Sequence, residues 1–248
     1  MVVLQVSNLS LKLGARSLVD GLNWQVRQGE LWCVLGPNGA GKSTLLHALA
    51  GLQSIHQGQI NVLGRPLHDY SIAELARLRG LMPQQIVDSF SCPVGDTVAI
   101  AHAPWRIGSA WRDQQDDRVV STALQRVGLL DRMHDDVTRL SGGERQRVAF
   151  AAMLVQKPTL MLFDEPTSHQ DIAQQLLIMR LMQQLVAEHA VIASCHDINL
   201  AARFASHVLL LGDGFHVMGT TQEVLDPALL SRVYGCAFDR SDEGIMAV

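Results

Sequence analysis

Three short stretches carry residues whose types and spacing suit work on a polyphosphate. The first, GPNGAGKST at residues 36–44, fits the pattern G-x-x-x-x-G-K-[ST]. Gly36, Gly39 and Gly41 let successive backbone N–H groups turn inward around anionic oxygens, with Pro37, Asn38 and Ala40 set between them. A helix is expected to start at the end of the loop, and its N-terminus adds partial positive charge. Lys42 is placed to reach the β- and γ-phosphates, and the hydroxyl of Ser43, with Thr44 beside it, to ligate Mg2+. This stretch is expected to bind a nucleoside triphosphate.

The second stretch is TLMLFDEPTSHQD, residues 159–171. A buried apolar run that ends in acids needs a partner for them, because unpaired buried charge is very costly. Beside a phosphate loop that partner is the hydrated Mg2+ of the nucleotide, and Asp164 is the candidate ligand. Alternation along a strand turns Glu165 away from Asp164. It then faces the γ-phosphate, where it can accept a proton from attacking water or position that water.

The third stretch, LSGGERQR at residues 140–147, pairs Ser141 with Glu144 three residues on. That is a capping box, predicting a helix that runs to Gln156 before Pro158. Gly142 and Gly143 take its first two positions, where glycine is a poor helix former. Their N–H groups stay open to an anion, which makes a second phosphate receptor. If one receptor cannot fold onto the other, a second copy of the chain must complete the site.

The elements around these stretches follow from hydrophobic period. Val2–Leu13 and residues 22–26 and 60–63 alternate with period two and are expected to be half-buried antiparallel strands. Residues 31–35 (LWCVL), 160–163 and 191–194 are short continuous apolar runs, the mark of strands in a parallel sheet. Leu45, Leu46, Leu49 and Leu52 share a helical face, with Gly51 weakening its last turn. A second helical period runs through Val119, Val120, Ala123, Leu124 and Val127, stopped at Gly128. Residues 172–188 predict a long amphipathic helix. HVLLL and FHVMG flank Gly212-Asp213-Gly214 as a hairpin.

The expected fold is therefore α/β. It has a P-loop NTPase core of mostly parallel sheet with helices on both faces, an N-terminal antiparallel β-subdomain and an inserted helical subdomain. One domain spans 1–248. Within it, 1–85 and 146–225 form the core with its β-subdomain, about 86–145 the helical signature subdomain, and 226–248 a C-terminal tail.

Composition narrows the function classes. The chain has 248 residues and a net charge of −4, which argues against a nucleic-acid surface. No apolar run approaches the roughly 18 residues that span a bilayer, and no charged-then-apolar signal segment opens the chain. A cytosolic protein, or one held at a membrane through a partner, is expected. Cys33, Cys92, Cys195 and Cys236 lack CxxC spacing and are expected to be reduced thiols.

Taken together, residues 1 to about 225 resemble the nucleotide-binding subunit of an ABC transporter. LSGGE resembles the ABC signature, and FDEP the magnesium strand with its catalytic glutamate. The resemblance implies a head-to-tail homodimer that sandwiches two ATP molecules, each between the phosphate loop of one copy and LSGGE of the other. It implies that Gln84, in LMPQQ, touches Mg2+ and links to the helical subdomain. Asp171, in SHQD, matches the loop that crosses the dimer interface, and His196, in ASCHD, the switch histidine on the γ-phosphate. Lys42, Glu165 and His196 are then the catalytic set; Ser43, Gln84 and Asp164 hold the metal.

Two positions depart from the family pattern. Leu13, in KLGAR, stands where many members stack an aromatic on adenine, so base recognition is expected through apolar contact. Gln170 replaces a usual leucine in SHQD, which bears on how the two sites communicate.

The ending GTTQEVLDPALLSRVYG resembles importers of iron–siderophore, haem and cobalamin. The resemblance implies a bacterial subunit at the cytoplasmic face of the inner membrane, coupled to integral membrane permease subunits and indirectly to a substrate-binding protein. Residues 84–100 are the implied docking surface for the permease. An exporter subunit, a chromosome or repair ATPase and a ribosome-associated factor are the competing classes. The chromosome ATPases place long coiled coils between the two nucleotide motifs, and no sustained heptads occur between Lys42 and Asp164.

Overall fold

The computed structural model describes residues 1–86, 90–105, 114–168, 170–241 and 244–247. Its N-terminal part is antiparallel. Strand β1 (Val2–Leu13) pairs with β2 (Arg16–Arg27) on one side and with β4 (Gln57–Val62) on the other, and the two-residue β5 (Arg65–Pro66) closes the order β2-β1-β4-β5. Between β2 and β4 the chain makes β3 (Leu31–Leu35), a strand of a second sheet, and the helix α1 (Lys42–Leu49).

That second sheet has six strands. After α2 (Ile72–Leu78) come β6 (Arg79–Met82), α3 (Val94–Ala99), α4 (Gln114–Arg126), α5 (Gly142–Gln156), β7 (Leu160–Phe163), α6 (Ile172–Leu185), β8 (Ala190–Ser194), α7 (Ile198–Phe204), β9 (His207–Leu211) and β10 (His216–Thr220). The order is β10-β9-β3-β8-β7-β6, parallel throughout except for the β9–β10 hairpin. β3, β7 and β8 are buried at every position, because helices cover both faces of the sheet.

Period-two alternation sorts these strands between two cores. Cys33, Met161, Phe163 and Val191 face one side, where α5 and α6 pack with Phe150, Ile178 and Met182. Val34, Leu160, Leu162 and Ile192 face the other, joined by Leu45, Leu46 and Leu49 of α1 and by the antiparallel sheet. Each buried Leu or Val contributes roughly 1.5–3 kcal/mol, so the sheet is a rigid platform for the loops at its strand ends. Phe150 of α5 stacks on Phe163 of β7 at 5.1 Å, joining the signature helix to the strand that carries Asp164.

Two helices are shorter than their apolar period. α1 stops at Leu49, and Leu52 lies beyond it, 63% exposed, after Gly51 has turned to φ +69°. α6 ends at Leu185 rather than at 188, and the chain leaves it through a turn in which Glu188 and His189 N–H both donate to the Leu185 carbonyl. The chain closes with α8 (Thr221–Val224), α9 (Pro227–Tyr234) and a hairpin of β11 (Phe238–Ser241) and β12 (Gly244–Ala247). Among the described residues no helix is long and apolar enough to cross a membrane.

Candidate functional site

The phosphate loop leaves the C-terminal end of β3 and enters α1. Gly41 caps α1 in a left-handed conformation (φ +98°) and offers no side-chain acceptor. The regular ladder begins only at Leu45 N–H to Gly41 O, 2.8 Å, so the amides of Lys42, Ser43 and Thr44 precede it. Gly36 and Gly41 are obligatory on steric grounds. A Cβ at Gly36 would collide with the Leu211 carbonyl, and one at Gly41 would come within 2.9 Å of Leu18 Cβ. The lysine is folded into its own loop: Lys42 Nζ donates to the carbonyls of Gly36 (2.8 Å) and Pro37 (3.2 Å). Burial pushes its ammonium below the usual value, with Glu165 and Asp164 opposing that shift.

The acids stand beside it. Asp164 is 2% exposed, and its Oδ1 accepts from Ser194 Oγ at 2.7 Å. Ser194 Oγ in turn accepts from the Glu165 N–H at 2.8 Å, so one hydroxyl at the end of β8 fixes both acids. Glu165 is not oriented by strand alternation. β7 ends at Phe163, and Glu165 takes a positive φ of +51°, rare for a residue with a side chain. Its carbonyl accepts from Ser168 N (3.1 Å) and Oγ (2.9 Å), which hold the turn. The carboxylate then meets two partners at 2.5 Å, Gln84 Nε2 on Oε2 and His196 Nε2 on Oε1. A carboxylate oxygen accepts, so Nε2 of His196 carries the proton.

Together these groups line a cleft of about 420 Å³: the phosphate-loop residues Asn38, Gly39 and residues 41–44, with Gln84, Glu165 and His196 at one end and Leu13 and Leu18 at the other. Leu13 is 67% exposed, an open apolar side chain on the wall of this cleft. Residues 140–144 do not line this cleft.

The predicted signature stretch forms a separate helix start. Ser141 accepts from Glu144 N (3.3 Å) and its own N–H donates to Glu144 Oε2 (2.8 Å), completing the capping box of α5. A Cβ at Gly142 would meet nothing within 4 Å. Asp171 caps α6, accepting from Gln174 N at 2.9 Å. Gln170 Nε2 donates to Gln146 Oε1 at 2.6 Å, joining this loop to the signature helix. His169 lies outside the described residues, as do residues 87–89 of the expected docking segment.

Three contributors were not singled out in the sequence: Leu18, Ser194 and Arg16, which pairs with Asp213 at 3.1 Å near the loop. Ser194 left one signal, a lone hydroxyl closing the apolar run AVIAS.

The donor set fits Mg2+ delivered with a nucleotide. One carboxylate, one hydroxyl and one amide oxygen are hard ligands, and Mg2+ takes its remaining positions from water and phosphate. Among the described residues no cluster of three or more His, Cys, Asp or Glu side chains is placed to hold a metal alone.

A phosphate loop at the end of the parallel strand β3, faced by acids that follow β7, the next strand but one, defines a P-loop nucleotide-hydrolysing protein. Residues 19–168 match the ABC transporter family, and the chain belongs to that family. It binds ATP and is an ATPase. It is 40% identical to the hemin import ATP-binding protein HmuV of Streptomyces coelicolor over 94% of this chain and 83% of that one. It is 32% identical to the iron(3+)-hydroxamate import ATP-binding protein FhuC of Bacillus subtilis, covering 93% and 87%. A solved structure of a metal-chelate type ABC transporter in an inward-facing conformation superposes with a TM-score of 0.84 at 28% identity, covering 100% of this chain and 96% of that chain.

Proposed function

We propose that this chain is the ATPase motor of a bacterial importer for a metal chelate (haem, an iron–siderophore or cobalamin). It would work as a head-to-tail homodimer at the cytoplasmic face of the inner membrane, bound to integral permease subunits that receive cargo from a substrate-binding protein. The observation that carries the dimer is the one-sided cleft: half a γ-phosphate site is built by residues 36–44, and none of residues 140–144 reaches it. The relatives named for hemin and iron(3+)-hydroxamate import support the cargo class.

In this reading the core comprises 1–85 and 146–225, the helical signature subdomain about 86–145, and the tail 226–248. Residues 36–44 cradle the phosphates of ATP, with Gln84 at the edge of the site. Ser141, Gly142, Gly143 and Glu144 of the second copy cover the γ-phosphate, and Asp171 lies at the interface. Ser43, Gln84 and Asp164 would hold Mg2+, which supplies charge neutralisation on the phosphates when bound. Lys42 exchanges its two loop carbonyls for phosphate oxygens. Glu165 accepts the proton of attacking water, and His196 orients both the carboxylate and the γ-phosphate. Gln84 and His196 each donate to one Glu165 oxygen in the free chain, and the remaining lone pairs of those oxygens can accept from the attacking water. Permease docking falls to residues 84–100, where Phe90 stands 73% exposed.

Glu165→Gln is expected to keep ATP binding and to slow hydrolysis by about 10²–10⁴-fold, measured as single-turnover phosphate release. An unchanged rate removes Glu165 from the chemistry. Reconstitution with its native membrane subunit, followed by uptake of haem, ferric hydroxamate and cobalamin, tests cargo and direction. Outward movement of all three would overturn the importer reading.

A further inference from the structure

Gly36 opens the phosphate loop, and both of its backbone polar atoms are held by side chains. Its carbonyl accepts from Lys42 Nζ at 2.8 Å. Its N–H donates to the hydroxyl oxygen of Tyr234 at 3.1 Å, from the far end of the chain. Gly36 has φ +149°, and a Cβ there would strike the Leu211 carbonyl, so no side chain of its own can fix the turn. Once ATP draws Lys42 toward its phosphates, Tyr234 is the holder that remains.

The hydroxyl is braced from behind. α9 docks through Leu230 and Val233, and the chain reverses at Gly235 (φ +72°). Ser231 Oγ accepts from Phe238 N at 2.9 Å, which sets the Phe238 ring 5.6 Å from that of Tyr234. In β12, Ile245 is bonded through both backbone atoms to the side chain of Asn199 (N–H to Oδ1 3.0 Å, O from Nδ2 3.1 Å). Asn199 sits in the first turn of α7, three residues after His196. The C-terminal segment thus grips the site at two places, the start of the phosphate loop and the helix that follows the switch histidine. Burial pushes the phenol up to about 12, so the hydroxyl stays neutral at physiological pH and places no charge behind the loop.

We propose that Tyr234 is a positioning residue for the phosphate loop, and that α9, β11 and β12 brace the nucleotide site through it. This rests on the reading of residues 36–44 as the ATP site. Tyr234→Phe keeps the ring against Phe238 and deletes only the hydroxyl. Because the loop is held in ground and transition states alike, the loss falls on binding. In the full chain, KM and the equilibrium Kd for ATP are expected to rise about 5–50-fold with kcat within about twofold, the scale of one unpaired buried amide. A purely structural hydroxyl would lower the melting temperature and leave KM of the folded protein alone.

Lys42→Ala is measured in parallel. If it binds ATP normally, the site reading itself fails. If it loses ATP while folded Tyr234→Phe keeps the wild-type KM, only the brace is overturned. Should Tyr234→Phe not fold, Asn199→Ala decides, since it frees the hairpin at Ile245 and leaves the hydroxyl in place. A raised KM in that variant supports the brace, and an unchanged one overturns it.

Discussion

The helix starts of α1 and α5 are both glycine-rich, yet the glycines answer to different demands. In α1, Gly36 and Gly41 have positive φ, and a Cβ on either would run into Leu211 or Leu18 of the same chain. Gly41 also leaves the N-terminus without a side-chain cap, so its amides await an anion. In α5, Ser141 and Glu144 already satisfy the N3 and N-cap amides, and neither Gly142 nor Gly143 has positive φ. A Cβ at Gly142 meets open space. Glycine in a helix costs about 0.8–1.0 kcal/mol relative to alanine. Among the described residues nothing crowds a Cβ at Gly142, whereas in the proposed dimer a phosphate approached from a second copy would require close backbone contact. The glycines of α1 are shaped by their own fold, and in the proposed dimer those of α5 would answer to the second copy.

This contrast can be broken or sharpened by substitution. Gly41→Val places a β-branched side chain at φ +98° against Leu18 and is expected to weaken ATP binding by roughly 100-fold or more in equilibrium titration. Near-normal affinity would show that the loop tolerates a Cβ and that the internal half of the contrast is wrong. Gly142→Val should leave monomer ATP affinity within about twofold while abolishing the ATP-dependent dimer in sedimentation analysis. Dimers that persist would remove the external demand. Gly142→Ala is expected to stabilise the nucleotide-free monomer by about 0.8–1.0 kcal/mol in denaturant unfolding, the reverse of what Ala at Gly36 does. Destabilisation by Gly142→Ala would mean an internal role that the geometry does not reveal.

The smallest effect concerns pH. The Ser141 N–H and hydroxyl hold the Glu144 carboxyl below its usual value of 4.5. A carboxyl lowered in the folded state adds stability that is full above the ordinary value and fades as pH falls through the lowered one. Glu144→Gln should therefore cost stability at neutral pH, by an amount that shrinks as pH falls below about 4.5. A loss that stays the same through the acid range would place the contribution in packing.

Much of this site could be read along the chain. The phosphate loop, the capping box and the strand at Leu160–Phe163 are set by neighbours within a few residues, where spacing alone decides what the backbone can do. Leu52 misled the period because Gly51 ended the helix first, a local contest between hydrophobic pattern and chain stop. Glu165 was expected to turn by alternation; a left-handed turn held by Ser194 and Ser168 orients it instead.

The sequence by itself determined that the chain binds a nucleotide, and it set the expectations that Asp164 and Glu165 serve the site and that residues 141–144 form a second receptor. These are matters of residue type at fixed local spacing. Tertiary structure alone decided that Ser194 ties Asp164 to Glu165, that Gln84 and His196 share one carboxylate, and that Tyr234 reaches the loop from the opposite end of the chain. Those pairings join residues between about 30 and 200 positions apart, and their partners are chosen by the order of strands in the sheet, which no short-range pattern encodes.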